Sequence, residues 1–193
     1  MITTERIQAI ASMALDLWAS FTRTHEFTAK QWINPEPHLA IRSHLAVNYG
    51  VVEFSRHCGD AIGANVTIVF ASIPVLDSAE GNSGVATWLF RRNKTDYAIV
   101  IDPRVIEKSL QRGDIRDRSQ AITRLILKQV GTLVLNTKFH AENQDAEPTN
   151  QQSPEQEEEA WVFCGTVLGL ALGANAQSSR QQNVIDQAWT RSC

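Results

Sequence analysis

The hydrophobic period of this 193-residue chain changes twice, and no other feature limits its fold as strongly. Before residue 63, apolar side chains recur at spacings of three and four. Ile7, Ile10, Ala11, Ala14, Leu17, Trp18 and Phe21 form one stripe behind Thr3 or Thr4, either of which can cap a helix. Asn34-Pro35-Glu36-Pro37 interrupts the chain and opens a second helix. That helix carries Leu39, Ile41, Leu45, Tyr49, Val51, Val52 and Phe54 and ends near Gly59 or Gly63. The pattern then shifts to strands. Segments 66–70, 85–90 and 97–101 are short and rich in β-branched and aromatic residues. The last two flank the polar turn 91–96 and predict an antiparallel hairpin.

Helical spacing returns beyond this point. Asp102-Pro103 reads as a cap and first-turn proline of a short helix. Ile122, Leu125, Ile126, Val130, Leu133 and Val134 mark a long helix from 117 to about 136. Residues 138–153 are polar and read as a mobile loop. Ser153-Pro154-Glu155-Gln156 then carries a helix start, with Ala160, Phe163, Cys164, Val167 and Leu168 leading to an end at Gly173. A separate short helix is expected near 180–189. The order predicts an α+β fold, with helices packed on a small three-stranded, mostly antiparallel sheet. The expectation is one domain: helices over residues 1–63, a core over 64–173 and a tail helix over 174–193.

Composition narrows the classes. Hydrophobic residues make up 43% and charged residues 20%, which suits a packed core and excludes disordered, collagen-like and coiled-coil chains. No apolar run approaches membrane length. Residues 1–6 show no basic stretch followed by an apolar one, and the three cysteines (Cys58, Cys164, Cys193) form no CxxC pair. Both observations lead to the expectation of a cytoplasmic protein with free thiols.

Catalytic signatures are missing. The histidines (His25, His38, His44, His57, His140) include no pair four apart, so no HExxH helix exists. His140, Glu142 and Asp145 share a polar loop without the rigid support a metal site needs. No GxSxG, GxGxxG or phosphate loop is present. Cys164 lies on the apolar stripe of its helix and reads as a buried, inert thiol. Charge is uneven. Segment 104–128 has seven basic and three acidic residues, while 142–159 has seven acidic and no basic ones. These tracts read as solvated faces that attract each other within the fold. Without interleaved aromatics, nucleic acid is not the expected partner.

Five pieces in order give the chain a family likeness. They are Val66-Thr67-Ile68-Val69-Phe70, then Ser83-Gly84-Val85-Ala86, then Tyr97-Ala98-Ile99-Val100-Ile101-Asp102. Next come Lys128-Gln129-Val130-Gly131-Thr132-Leu133-Val134-Leu135-Asn136 and Glu157-Glu158-Glu159-Ala160-Trp161-Val162-Phe163-Cys164. Together they resemble the ImmA/IrrE-like metallopeptidases, compact zincins with an HExGHxLLH-type helix and a later ExEANxFAxxLL helix. The resemblance covers about half the chain. It implies a zincin-like scaffold whose active members cleave regulatory proteins, including DNA-binding repressors.

The departures fall on the chemistry. Zinc takes two neutral imidazoles one helical turn apart, with a glutamate as base for its water. The matching positions here are Lys128 and Thr132 for the histidines and Gln129 for the glutamate. A carboxylate survives in the third-ligand region, at Glu157 or Glu159, and Trp161 replaces a polar asparagine. The resemblance therefore implies a pseudoenzyme without metal or cofactor, binding a protein partner or a copy of itself. Lys128, Thr132, Glu157, Glu159 and Trp161 would line the former metal cleft, with Lys128 supplying Glu157 with a counter-charge inside it. Two other readings compete: relocated acid–base chemistry on a small molecule in that cleft, and nucleic-acid binding through 104–128.

Overall fold

A computed structural model describes residues 2–24, 49–73, 86–113, 118–139 and 153–190, with side chains in the last segment to residue 173. Among the described residues, five helices pack on a three-stranded sheet, which is an α+β fold. In chain order they are α1 (Thr4–Thr24), α2 (Tyr49–Ala61), β1 (Asn65–Phe70), β2 (Thr87–Arg91), β3 (Asp96–Ile101), α3 (Pro103–Arg112), α4 (Arg118–Phe139) and α5 (Pro154–Thr190).

α1 starts where its cap predicts. The Thr3 hydroxyl accepts from the Arg6 backbone N–H at 3.2 Å. Its stripe is a buried seam: Ile10, Ala14, Trp18 and Phe21 all face the core. Trp18 and Phe21 meet Phe54 of α2 with ring centroids 5.9 and 5.4 Å away, the second edge-on. The first helix is thus part of the core and not an appended arm. The expected start of the second helix at Pro37 lies outside the described residues. Its end does not: Gly63 adopts φ 69°, the left-handed conformation that stops a helix cheaply only at glycine.

The sheet has the order β1-β3-β2. β2 and β3 form the antiparallel hairpin, with Leu89 opposite Ile99. Its turn is built by Asn93, whose side-chain oxygen accepts from the backbone N–H groups of Thr95 and Asp96 at 2.9 and 2.8 Å. β1 lies against the other edge of β3 and runs parallel to it, with Ile68 opposite Ile99. The sheet is therefore mixed, half its pairing being parallel rather than mostly antiparallel.

α4 is the axis of the molecule. It touches α2, α3, α5, β2 and β3. Ile122, Ile126, Leu127, Val130, Leu133, Val134 and Leu135 are all buried in it, around most of its circumference. The helix extends to Phe139, so the expected loop starts later, and residues 140–152 lie outside the description. α5 departs from expectation in the other direction. It is one helix to Thr190 and does not break at Gly173. That glycine lacks a positive φ, and no proline follows it. An interior glycine costs a helix about 1 kcal/mol, which weakens it without ending it. The tail helix foreseen as separate is its continuation. No helix among the described residues is long and apolar enough to cross a membrane.

Candidate functional site

The start of α5 sets the site. Ser153 and Gln156 form a reciprocal cap: the Gln156 N–H donates to Ser153 Oγ at 3.2 Å, and the Ser153 N–H donates to Gln156 Oε1 at 3.0 Å. Pro154 fills the first helical position. The acidic run 155–159 therefore falls in the first turns, where the helix dipole favours negative charge.

Glu157 projects from there toward the middle of α4. Its Oε1 accepts from Lys128 Nζ at 2.6 Å. Trp161, one turn further along α5, lies with its ring centroid 5.4 Å from the same ammonium. The three side chains form a cation held between a carboxylate and an aromatic face. Lys128 is 13% exposed and Glu157 is 51% exposed, so the lysine lies inside and the carboxylate reaches water. The expectation that Glu157 faces a low-dielectric cleft is corrected: it is the rim partner. Trp161 is 43% exposed and Leu172, eleven residues on, is 60% exposed, both on the outward side of α5.

The other expected residues separate from this cluster. Thr132 is buried, and its hydroxyl donates to the Lys128 carbonyl at 3.1 Å, back along its own helix. Gln129 is buried, and its Oε1 has no hydrogen-bond partner among the described residues. Glu159 does not join Lys128. It is buried on the inward side of α5 and accepts from Arg6 Nε of α1 at 2.6 Å. The Arg6 guanidinium also lies 3.8 Å from the Phe139 ring centroid at the end of α4. Arg6 and Phe139 escaped the sequence reading. Arg6 could have been found from helical phase: it stands four residues before Ile10, in line with the buried stripe.

Between the two sites α4 and α5 approach closely. A Cβ on Gly131 would stand 2.9 Å from Phe163 Cδ1, so the contact requires glycine there. Cys164 lies in this contact, its Sγ 3.6 Å from the Arg124 carbonyl. Burial pushes its thiol up to about 12, and burial also raises Cys58, so neither forms a thiolate at neutral pH. The His57 ring lies tilted against Phe21, with centroids 5.7 Å apart; the other four histidines lie outside the described residues.

The donor set does not suit zinc. Lys128 is an ammonium seated on Glu157, and the Thr132 hydroxyl is turned to its own backbone. A cation at that distance from Glu157 repels a divalent ion. Among the described residues no three His, Cys, Asp or Glu side chains converge as a metal set.

The charged tracts meet at one point only among the described residues. Lys128–Glu157 joins them, while Arg118 pairs with Glu107 of α3 at 2.7 Å and Arg104 with Asp102, at the start of its own helix, at 2.7 Å. No protein-family model, no curated protein and no solved structure matches the chain.

Proposed function

We propose that this protein is a catalytically inactive member of a zincin-like class, a pseudoenzyme that acts by binding a protein partner without metal or cofactor. One observation carries the reading: the Lys128 ammonium is bonded to Glu157 at 2.6 Å, at the positions where the resemblance expects a zinc ligand pair. A peptidase of that kind needs a Lewis acid and a base at this place. Lys128, Gln129 and Thr132 supply neither. What this face does offer is an exposed indole anchored by a cation, with Leu172 further along the same helix. Exposed aromatic anchors of this kind suit protein recognition. The buried, protonated thiols of Cys58 and Cys164 fit a reducing, cytoplasmic setting.

Elemental analysis of purified, tag-free protein tests the reading. It should find well under one zinc per chain after dialysis, and Trp161→Ala should leave folding intact while reducing partner binding. Stoichiometric zinc that survives dialysis, or zinc-dependent peptide cleavage lost on chelation, would overturn it.

A further inference from the structure

α3 presents a row of cations to solvent. Arg104, Lys108 and Arg112 stand at intervals of four, and all three are exposed. That spacing sets them about 6 Å apart along the axis and within about 80° of arc. The other side of the helix holds it to the protein: Ile106 is buried and Leu110 packs against the core. Both ends are fixed. The Asp102 carboxylate accepts from the Arg104 backbone N–H at 2.9 Å. Gly113, at φ 80°, turns its N–H back to the carbonyls of Ser109 and Leu110. The row is therefore preformed, and a partner that reads it does not have to order the helix.

The acids of this stretch hold neighbouring arginines. Asp102 takes the Arg104 guanidinium at 3.1 and 2.7 Å, and Glu107 pairs with Arg118 at 2.7 Å. The first pairing fixes Arg104 in place at 60% exposure, as the first point of the row. Lys108 and Arg112 continue it with two more exposed charges.

The repeat of the row selects the anion that fits. Carboxylates one helical turn apart in an acidic protein segment meet a 6 Å spacing in register. A phosphate backbone is the poorer match. Its binding grows with the number of cations engaged, and it gains from aromatic side chains on which bases stack. α3 offers three cations, one of them shared with Asp102, and no aromatic residue. The net charge of −3 also repels a long polyanion beyond the row.

We infer that α3 is a docking face for an acidic segment of a protein partner, whose carboxylates at intervals of four meet Arg104, Lys108 and Arg112. This goes beyond the proposed function: it adds a second surface, states the chemistry of what binds there, and depends neither on the metal position nor on Trp161.

Fluorescence anisotropy of the full chain with labelled helical peptides tests it. One peptide carries Glu at three positions four apart, and its control carries Gln there. The Glu peptide should bind at low salt and weaken as salt rises, and the Gln peptide should bind roughly tenfold more weakly. Lys108→Glu with Arg112→Glu should weaken the Glu peptide by roughly tenfold or more. Lys108→Arg with Arg112→Lys should keep its affinity within about threefold, since the charges remain. Arg23→Glu with Lys138→Glu changes the net charge equally at exposed positions of α1 and α4, and should act far less. All four positions are exposed, and thermal unfolding followed by circular dichroism checks that each variant stays folded. A Glu peptide that binds no better than the Gln peptide overturns the inference, as does an equal loss in the Arg23 and Lys138 variant. So does tighter binding of a labelled single-stranded RNA of the same charge. Zinc content and the effect of Trp161→Ala are read separately, so a failure here leaves the proposed function standing, and stoichiometric zinc removes that function whatever the peptides show.

Discussion

Glu157 and Glu159 stand two residues apart in α5, and each takes a cation from another helix at 2.6 Å. The bonds are equal in length and unlike in physics. Glu157 is half exposed, and its carboxylate shares its charge with water. Glu159 is 8% exposed at its side chain and has exchanged water for Arg6. The first pair contributes little to stability and leaves its partners available to another molecule. The second closes α1 onto α5, with Phe139 of α4 against the guanidinium, and is part of the fold. Two residues along an α-helix turn the side chain by about 200°, so Glu157 and Glu159 point to opposite media.

The largest test of this contrast is Arg6→Met. It removes the cation bonded to a buried carboxylate and should destabilise by roughly 3–5 kcal/mol in denaturant unfolding. Adding Glu159→Leu should return most of the loss, since a packed apolar pair removes the buried charge. If Arg6→Met costs no more than a surface change, Glu159 is not the buried partner described above.

A third carboxylate sharpens the same point. Asp102 is buried and fully engaged. Its oxygens accept from the backbone N–H groups of Ile73 and Arg104, each at 2.9 Å, and from the Arg104 guanidinium. The bonds from the guanidinium, above all, hold its carboxyl down to about 2, against an ordinary 3.8. The folded value is the lower one. Its stabilising contribution is therefore complete above about pH 4 and is lost as pH falls toward 2. Asp102→Ala should cost about 2 kcal/mol at neutral pH, from the lost helix cap and the unpaired Ile73 N–H. The variant should also show a flatter loss of stability between pH 4 and 2, which acid titration of unfolding would reveal.

The smallest effect belongs to the rim pair. Lys128→Met should destabilise by less than about 1 kcal/mol, and the coupling to Glu157 in a double-mutant cycle should shrink in high salt. The Arg6–Glu159 coupling should change little over the same range. Equal salt dependence of the two would erase the distinction between them.

How far these roles were legible depends on the range of the interaction. The Asp102-Pro103 and Ser153–Gln156 helix starts are local, and four residues were enough to read them. The parallel alignment of β1 was not readable, because it depends on which edge of β3 is open, a property of the assembled sheet. The Arg6–Glu159 pair spans 153 residues of sequence, beyond any periodic pattern. The meeting of Lys128 with Glu157 was reachable through family likeness alone, yet burial belongs to the other glutamate. Helical phase held the answer: Glu159 stands four residues before Phe163 and in line with Ala160 and Val167, all buried, whereas Glu157 shares the side of Trp161. The break expected at Gly173 failed because a glycine lowers helix propensity without supplying a stop.

The proposed function places Lys128 and Glu157 at a zincin-like metal position that holds no metal. Calorimetric titration of zinc into the wild type and into the combined variant Lys128→His, Gln129→Glu, Thr132→His addresses it directly. Two imidazoles one helical turn apart with Glu157 opposite make a three-ligand set. The wild type should take up no stoichiometric zinc. The variant should bind one zinc per chain, and a further Glu157→Ala should weaken that binding by roughly tenfold or more. Stoichiometric zinc in the wild type would contradict the loss of the metal, and a folded variant that binds no better than the wild type would contradict the zincin-like placement of these residues.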